Sequence, residues 1–158
     1  YITLEEELRN AENYLVLQKY RYMDKFEEEI ICPAELKEYL VPKVILQPVV
    51  ENAIFHGIAP MDGKGKLHIS VEEKDEKLRI TVRDNGVGMN EDMIKRLFDE
   101  KYAVKNGMRK IGIANVSRRI SDICGEGYGM SIESKVGVGT SVVMDLPLKT
   151  IEQEDGNG

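Results

Sequence analysis

Apolar residues recur along this chain in two rhythms. Near the start they fall three or four apart: Leu4, Leu8, Ala11 and Leu15 form a stripe that Tyr14, Leu17 and Tyr20 widen. That spacing predicts an amphipathic helix. Thr3 followed by Glu6 is a capping box, so the helix should open there and run to about Tyr22. A second such stretch covers residues 43–57, where Val44, Ile45, Leu46, Val49, Val50, Ala53 and Ile54 make a wide buried face. Pro48 falls inside it and should kink the first turns or push the regular start later. Gly57 reads as a C-terminal cap.

Elsewhere the period is two. Residues 25–32 read as a strand with Phe26 and Ile30 on one face. Residues 67–71 and 78–82 alternate cleanly, and residues 73–76 turn between them, which predicts a hairpin. Residues 128–136 and 140–148 form a second hairpin across Gly137-Val138-Gly139. Asn90 should cap a short helix over 91–98, and Ile113, Val116, Ile120 and Ile123 mark another over 111–124. Residues 99–110 are polar and aperiodic and read as a mobile loop. The acidic, glycine-rich tail at 150–158 should be disordered. Hairpins with helices between them predict an α+β fold: a two-layer α/β sandwich whose mixed sheet is covered by helices on one face.

Composition narrows the function without naming it. The 158 residues are 42% hydrophobic and 32% charged, as expected of one folded domain. A net charge of -6 argues against broad nucleic-acid binding, yet a local cluster of cations can still receive a small anion. Cys32 and Cys124 have no metal or redox spacing and read as buried thiols. The chain begins at Tyr1, inside what looks like a helix, so a longer protein with an upstream membrane segment is expected.

Candidate chemistry sits at three places. Strand 77–83 runs into Asp84-Asn85-Gly86-Val87-Gly88-Met89. One carboxylate beside two residues without side chains can accept from a ligand amine while a flat ligand approaches the backbone. An ordinary turn would have the same composition. On the core helix, Asn52 and His56 stand four apart on one face, and Glu51 borders it. An amide oxygen such as that of Asn52 suits Mg²⁺, while Glu51 could accept a proton or orient a nucleophile and His56 could donate to a phosphate. Third, Gly112 and Ile113 open a helix whose first N–H groups can face an anion, and Lys105, Arg109 and Lys110 precede it as a basic cluster. Thr140, after the Gly137-Val138-Gly139 turn, would reach the flat end of a ligand beside Asp84.

Together these segments resemble a known family. Leu46-Gln47-Pro48-Val49-Val50-Glu51-Asn52-Ala53-Ile54-Phe55-His56-Gly57 resembles the N box of sensor histidine kinases. Residues 84–89 resemble the G1 box, residues 111–116 the G2 box, and residues 137–142 the G3 segment. Their order resembles the GHKL ATP-binding fold of histidine kinases, gyrase, Hsp90 and MutL, most nearly the LytS/YesM-like kinases. That resemblance implies a catalytic domain that binds ATP and Mg²⁺ and transfers the γ-phosphate to a histidine. It implies that Asp84 binds the adenine amino group and Asn52 ligates Mg²⁺. Glu51 and His56 would act near the γ-phosphate, Gly86, Gly88 and Gly112 would give close approach and lid movement, and Thr140 would support the adenine end. Residues 99–110 would be the ATP lid.

The resemblance also implies an organisation. Residues 1–24 would be a connector helix from a dimerisation and phosphoacceptor region, and residues 25–149 the catalytic domain. Partners would be the acceptor helix, a response regulator and a second copy in the full-length protein, with the whole held at a bacterial membrane and this domain cytoplasmic. Two departures stand out. Lys110 occupies a position where the family often has glycine. The chain's two histidines, His56 and His68, lie outside any acceptor-like context. A GHKL ATPase, an anti-sigma-factor-type serine kinase and a non-catalytic nucleotide-binding module are the alternatives.

Overall fold

The computed structural model describes residues 1–99 and 112–152. Helix α1 (Leu4–Arg21) starts where the capping box predicts, with Thr3 Oγ1 accepting from the Glu6 N–H at 3.2 Å. Strand β2 (Phe26–Ile31) follows. A short ladder then joins β1 (Ile2–Thr3) to β3 (Leu40–Val41). Helix α2 (Leu46–Asn52) leads into β4 (Gly65–Lys74) and β5 (Lys77–Asp84). After β5 come α3 (Glu91–Leu97), α4 (Ile113–Cys124), β6 (Gly129–Lys135) and β7 (Gly139–Leu146).

The five long strands form one mixed sheet in the order β2-β4-β5-β7-β6. Only β2 and β4 pair in parallel. Period-two alternation then sorts the side chains. Phe26, Leu67, Ile69, Val71, Leu78, Ile80, Val82, Val142, Met144 and Leu146 point to one face and enter a single core with Leu4, Leu8, Ala11 and Leu15 of α1 and Val116 and Ile120 of α4. The opposite face carries Glu29, His68, Arg83, Ser141 and Glu133 in one register row. The expected two-layer arrangement with one covered face is therefore what forms.

Some expectations fail locally. Leu17 and Tyr20 do not widen the buried stripe of α1; they are 67% and 86% exposed, because the helix packs on one narrow side. Ile123 is likewise largely exposed at the end of α4. The later start that Pro48 predicts does occur: the helix expected over 43–57 begins at Leu46, which puts Pro48 in the first turn, where its missing N–H has no helical partner to lose. Beyond Asn52 the helix widens into a π segment, Ala53–Ile58, closed by Ala59 N–H to Ile54 O at 2.8 Å. Gly57 lies inside this segment and is not a cap. The lid expected over 99–110 and the tail beyond residue 152 lie outside the described residues, apart from Asp99.

Candidate functional site

Alternation in β5 sends Leu78, Ile80 and Val82 inward, and the next inward position is Asp84. A carboxylate is thus carried to the edge of the core, where it is only 4% exposed. Gly86 N–H donates to Asp84 Oδ1 at 2.8 Å, and the backbone N–H of Thr140, the cross-strand partner of Asp84, also favours the charged form. Desolvation outweighs both and pushes the Asp84 carboxyl up to about 6.

Glycine decides what can stand around this acid. A Cβ on Gly57 would lie 2.6 Å from Asp84 Oδ1. One on Gly86 would run into the backbone of Gly57, and the Val87 N–H donates to Gly57 O at 2.9 Å. The π segment and the loop after β5 therefore dock backbone to backbone. Gly88 has φ +73°, and a Cβ there would strike the carbonyl of Lys135. That loop is fixed to the β6–β7 hairpin by Gly137 N–H to Val87 O at 2.7 Å and by Met89 N–H to Ser134 Oγ at 2.8 Å. Ser134 Oγ also lies 2.7 Å from Thr140 Oγ1 and 3.0 Å from Gly139 O, so one hydroxyl ties the loop to the buried Thr140. Neither Ser134 nor the contact of Gly57 with Asp84 is evident from sequence, where Gly57 reads as a cap and Ser134 as one polar strand position.

The α2 residues separate. Asn52 is buried at 9% exposure, Glu51 is half-buried, and His56 faces solvent. The π segment intervenes between Asn52 and His56, so four-residue spacing does not place them together at the buried edge. Phe55 instead meets Tyr22 edge to face, with ring centroids 5.8 Å apart. At the start of α4, the Ile113 side chain is buried in the core, leaving only its backbone to face a ligand. A Cβ on Gly112 would meet nothing within 4 Å among the described residues. Lys105, Arg109 and Lys110 lie outside those residues.

A cavity of about 1030 Å³ forms a trough over the polar sheet face, bordered by Asp84 and Thr140 and walled by charged residues such as Glu29, Arg83 and Glu133. Such a wall is at home in water, so the buried acid and the glycines around it, rather than the trough, mark the site.

Comparison with known proteins fixes the family. Residues 41–150 match the model of the histidine kinase-, DNA gyrase B- and HSP90-like ATPases. The chain belongs to this family. It is 32% identical over 148 residues to the sensor histidine kinase YesM of Bacillus subtilis, covering 94% of this chain and 24% of that protein. It is 32% identical over 153 residues to the sensor protein LytS of Bacillus anthracis, covering 97% of this chain and 26% of that one. The chain thus spans about a quarter of the length of these relatives. Among solved structures, histidine kinase ThkA in complex with the response regulator TrrA is similar with a TM-score of 0.66 at 19% identity, over 94% of this chain and 41% of that one. The ATPase-family fold and the likeness to LytS/YesM sensor histidine kinases agree with the resemblance carried by the four boxes, and ATP is the ligand class of this family.

Proposed function

We propose that this chain is the catalytic ATP-binding domain of a membrane sensor histidine kinase, and that Asp84 holds the adenine ring. The observation that carries the proposal is the Asp84 carboxylate, buried at 4% exposure and flanked by Gly57 and Gly86, whose absent side chains leave backbone beside it. An exocyclic amine donating to that acid would satisfy a charge that burial otherwise penalises.

Asn52, buried at the end of α2, carries an amide oxygen of the hard type Mg²⁺ prefers, and such an ion draws its other ligands from water and phosphate oxygens. In the transfer, an imidazole nitrogen of the acceptor attacks the γ-phosphorus, the bond to the ADP oxygen breaks and the N–P bond forms. Glu51 would take the ring proton or orient the ring, while His56, on the exposed side, would steady the phosphate from outside. The acceptor histidine, a response regulator and a second copy of the full-length protein would be the partners. The relatives named as sensor kinases and the response regulator bound by ThkA support that placement.

The test is phosphoryl transfer in trans. Mixed with Mg²⁺, ATP labelled in its γ-phosphate and a separate acceptor-helix fragment, this chain should label the acceptor histidine. Hydrolysis with no label on the acceptor would favour an ATPase, and failure to bind ATP would leave only a regulatory module.

A further inference from the structure

The N-terminus of α2 is held in an unusual way. Its N-cap position is Ile45, which has no side chain able to accept the free N–H groups of the first turn. A residue from another helix instead holds the two N–H groups just ahead of that turn. Glu7 of α1, 3% exposed, accepts from Val44 N–H through Oε1 and from Ile45 N–H through Oε2, each at 3.0 Å. Its charge also suits the positive end of the α2 dipole. Val44 itself sits at φ +59°, a left-handed conformation that a β-branched residue adopts only when its surroundings force it. The force on its other side comes from α4: Arg119 donates to Val44 O at 3.0 Å and to Lys43 O at 2.7 Å. One strained residue is therefore clamped by an acid from α1 and a guanidinium from α4. The helix that follows ends at Asn52, seven residues beyond Ile45 and about 10 Å along the axis.

We propose that Glu7 is a positioning residue: by gripping the N–H groups of Val44 and Ile45 at the entrance to α2, it sets where Glu51 and Asn52 stand relative to the phosphates of bound ATP. The inference rests on the nucleotide site proposed above. It follows from the connectivity of the clamp. Once Glu7 lets go, Val44 is held left-handed by one half of the clamp, Arg119, and a Val44 that relaxed would turn the first residues of α2. The adenine end depends less on this corner, because Asp84, though it touches Gly57 beyond α2, is also held by Gly86, Thr140 and the β5–β7 ladder.

That asymmetry is the test. The affinity for Mg-ATP, which needs both ends, is measured by calorimetry, and the affinity for adenosine, which needs only the Asp84 end, by an NMR titration. Glu7→Gln should weaken Mg-ATP binding about five- to tenfold and leave adenosine binding within about twofold of the parent. Val44→Gly removes the strain, since glycine adopts this φ freely, so adding Glu7→Gln to it should weaken Mg-ATP binding only about twofold. Should Glu7→Gln not fold, Arg119→Ala tests the same clamp from its solvent side and should give the same asymmetry, about two- to threefold. Equal loss of both ligands in the folded variants would make Glu7 a purely structural acid and overturn the inference. A parent chain that bound neither ligand would instead bring down the nucleotide site, and the positioning role with it.

Discussion

Gly57 and Asp84 come so close that a Cβ on the glycine would lie 2.6 Å from the carboxylate oxygen. Side-chain space at one residue therefore controls where the acid at another can stand. The contact crosses from the π segment to the end of β5, so it joins the helix that carries Asn52 to the strand that carries Asp84. Gly57→Ala should push the carboxylate out of its position. The expected cost is about 1–3 kcal/mol of stability from overpacking, with at least about a tenfold loss in ATP affinity. Denaturant unfolding and calorimetry would read the two effects separately. Unchanged affinity would mean that the ligand does not use Asp84.

Burial of Asp84 sets a pH dependence of definite sign. The folded carboxyl lies at about 6 and its ordinary value is 3.8. Ionisation therefore costs the folded state more than the unfolded one. The stability contribution is fully present below pH 4 and is lost as pH rises through 6, by about 3 kcal/mol in all. Asp84→Asn should abolish that fall, so unfolding free energies measured from pH 4 to pH 8 should run flatter for the variant. ATP affinity should move the other way. It should drop in the parent as pH falls below 6, because the protonated acid accepts from the adenine amine only as a neutral, weaker acceptor. In the variant it should be weaker by about 1–3 kcal/mol at pH 8.

What the sequence shows and what it hides follow from range. Leu78, Ile80 and Val82 announce a strand because alternation is local, and a strand that ends in an acid and two glycines can be read directly. So can the capping of α1 by Thr3 and of α3 by Asn90, whose Oδ1 accepts from Met93 N–H at 2.9 Å. The widening after Asn52 has no such signature, since nothing in Ala53-Ile54-Phe55-His56-Gly57 distinguishes a five-residue closure from a four-residue one. Gly57 then reads as a cap because glycine serves helix ends and close approaches alike, and only the fold reveals which. Glu7 is hidden for another reason. In the run Glu5-Glu6-Glu7 it looks like first-turn charge, and its partners lie 37 and 38 residues away.

Ser134 offers a check on the adenine end that leaves the acid untouched. Its hydroxyl accepts from Met89 N–H and lies in hydrogen-bond range of Thr140 Oγ1 and Gly139 O. Ser134→Ala removes all three at once and leaves the Met89 N–H without this acceptor. The stability loss should be about 1–2 kcal/mol. Because the loop after β5 then loses its tie to Thr140, adenosine and ATP should weaken together, by about the same factor. A loss confined to ATP would separate Thr140 from the adenine end.

Asn52 supplies the complementary case at the phosphate end. It is a polar side chain at 9% exposure on a helix whose neighbours Val49, Val50, Ala53 and Ile54 are all core. An amide oxygen at that position is a hard donor of the kind that a cation shared with phosphate takes. Parent ATP affinity should therefore rise when Mg²⁺ replaces a chelator. Asn52→Ala should bind ATP with the same affinity in both conditions and should bind adenosine as the parent does, since Asp84 is unaltered. Titration calorimetry with and without Mg²⁺ measures this directly. A variant whose affinity still climbed on adding Mg²⁺ would assign the cation to other oxygens and leave Asn52 as a packing residue of α2.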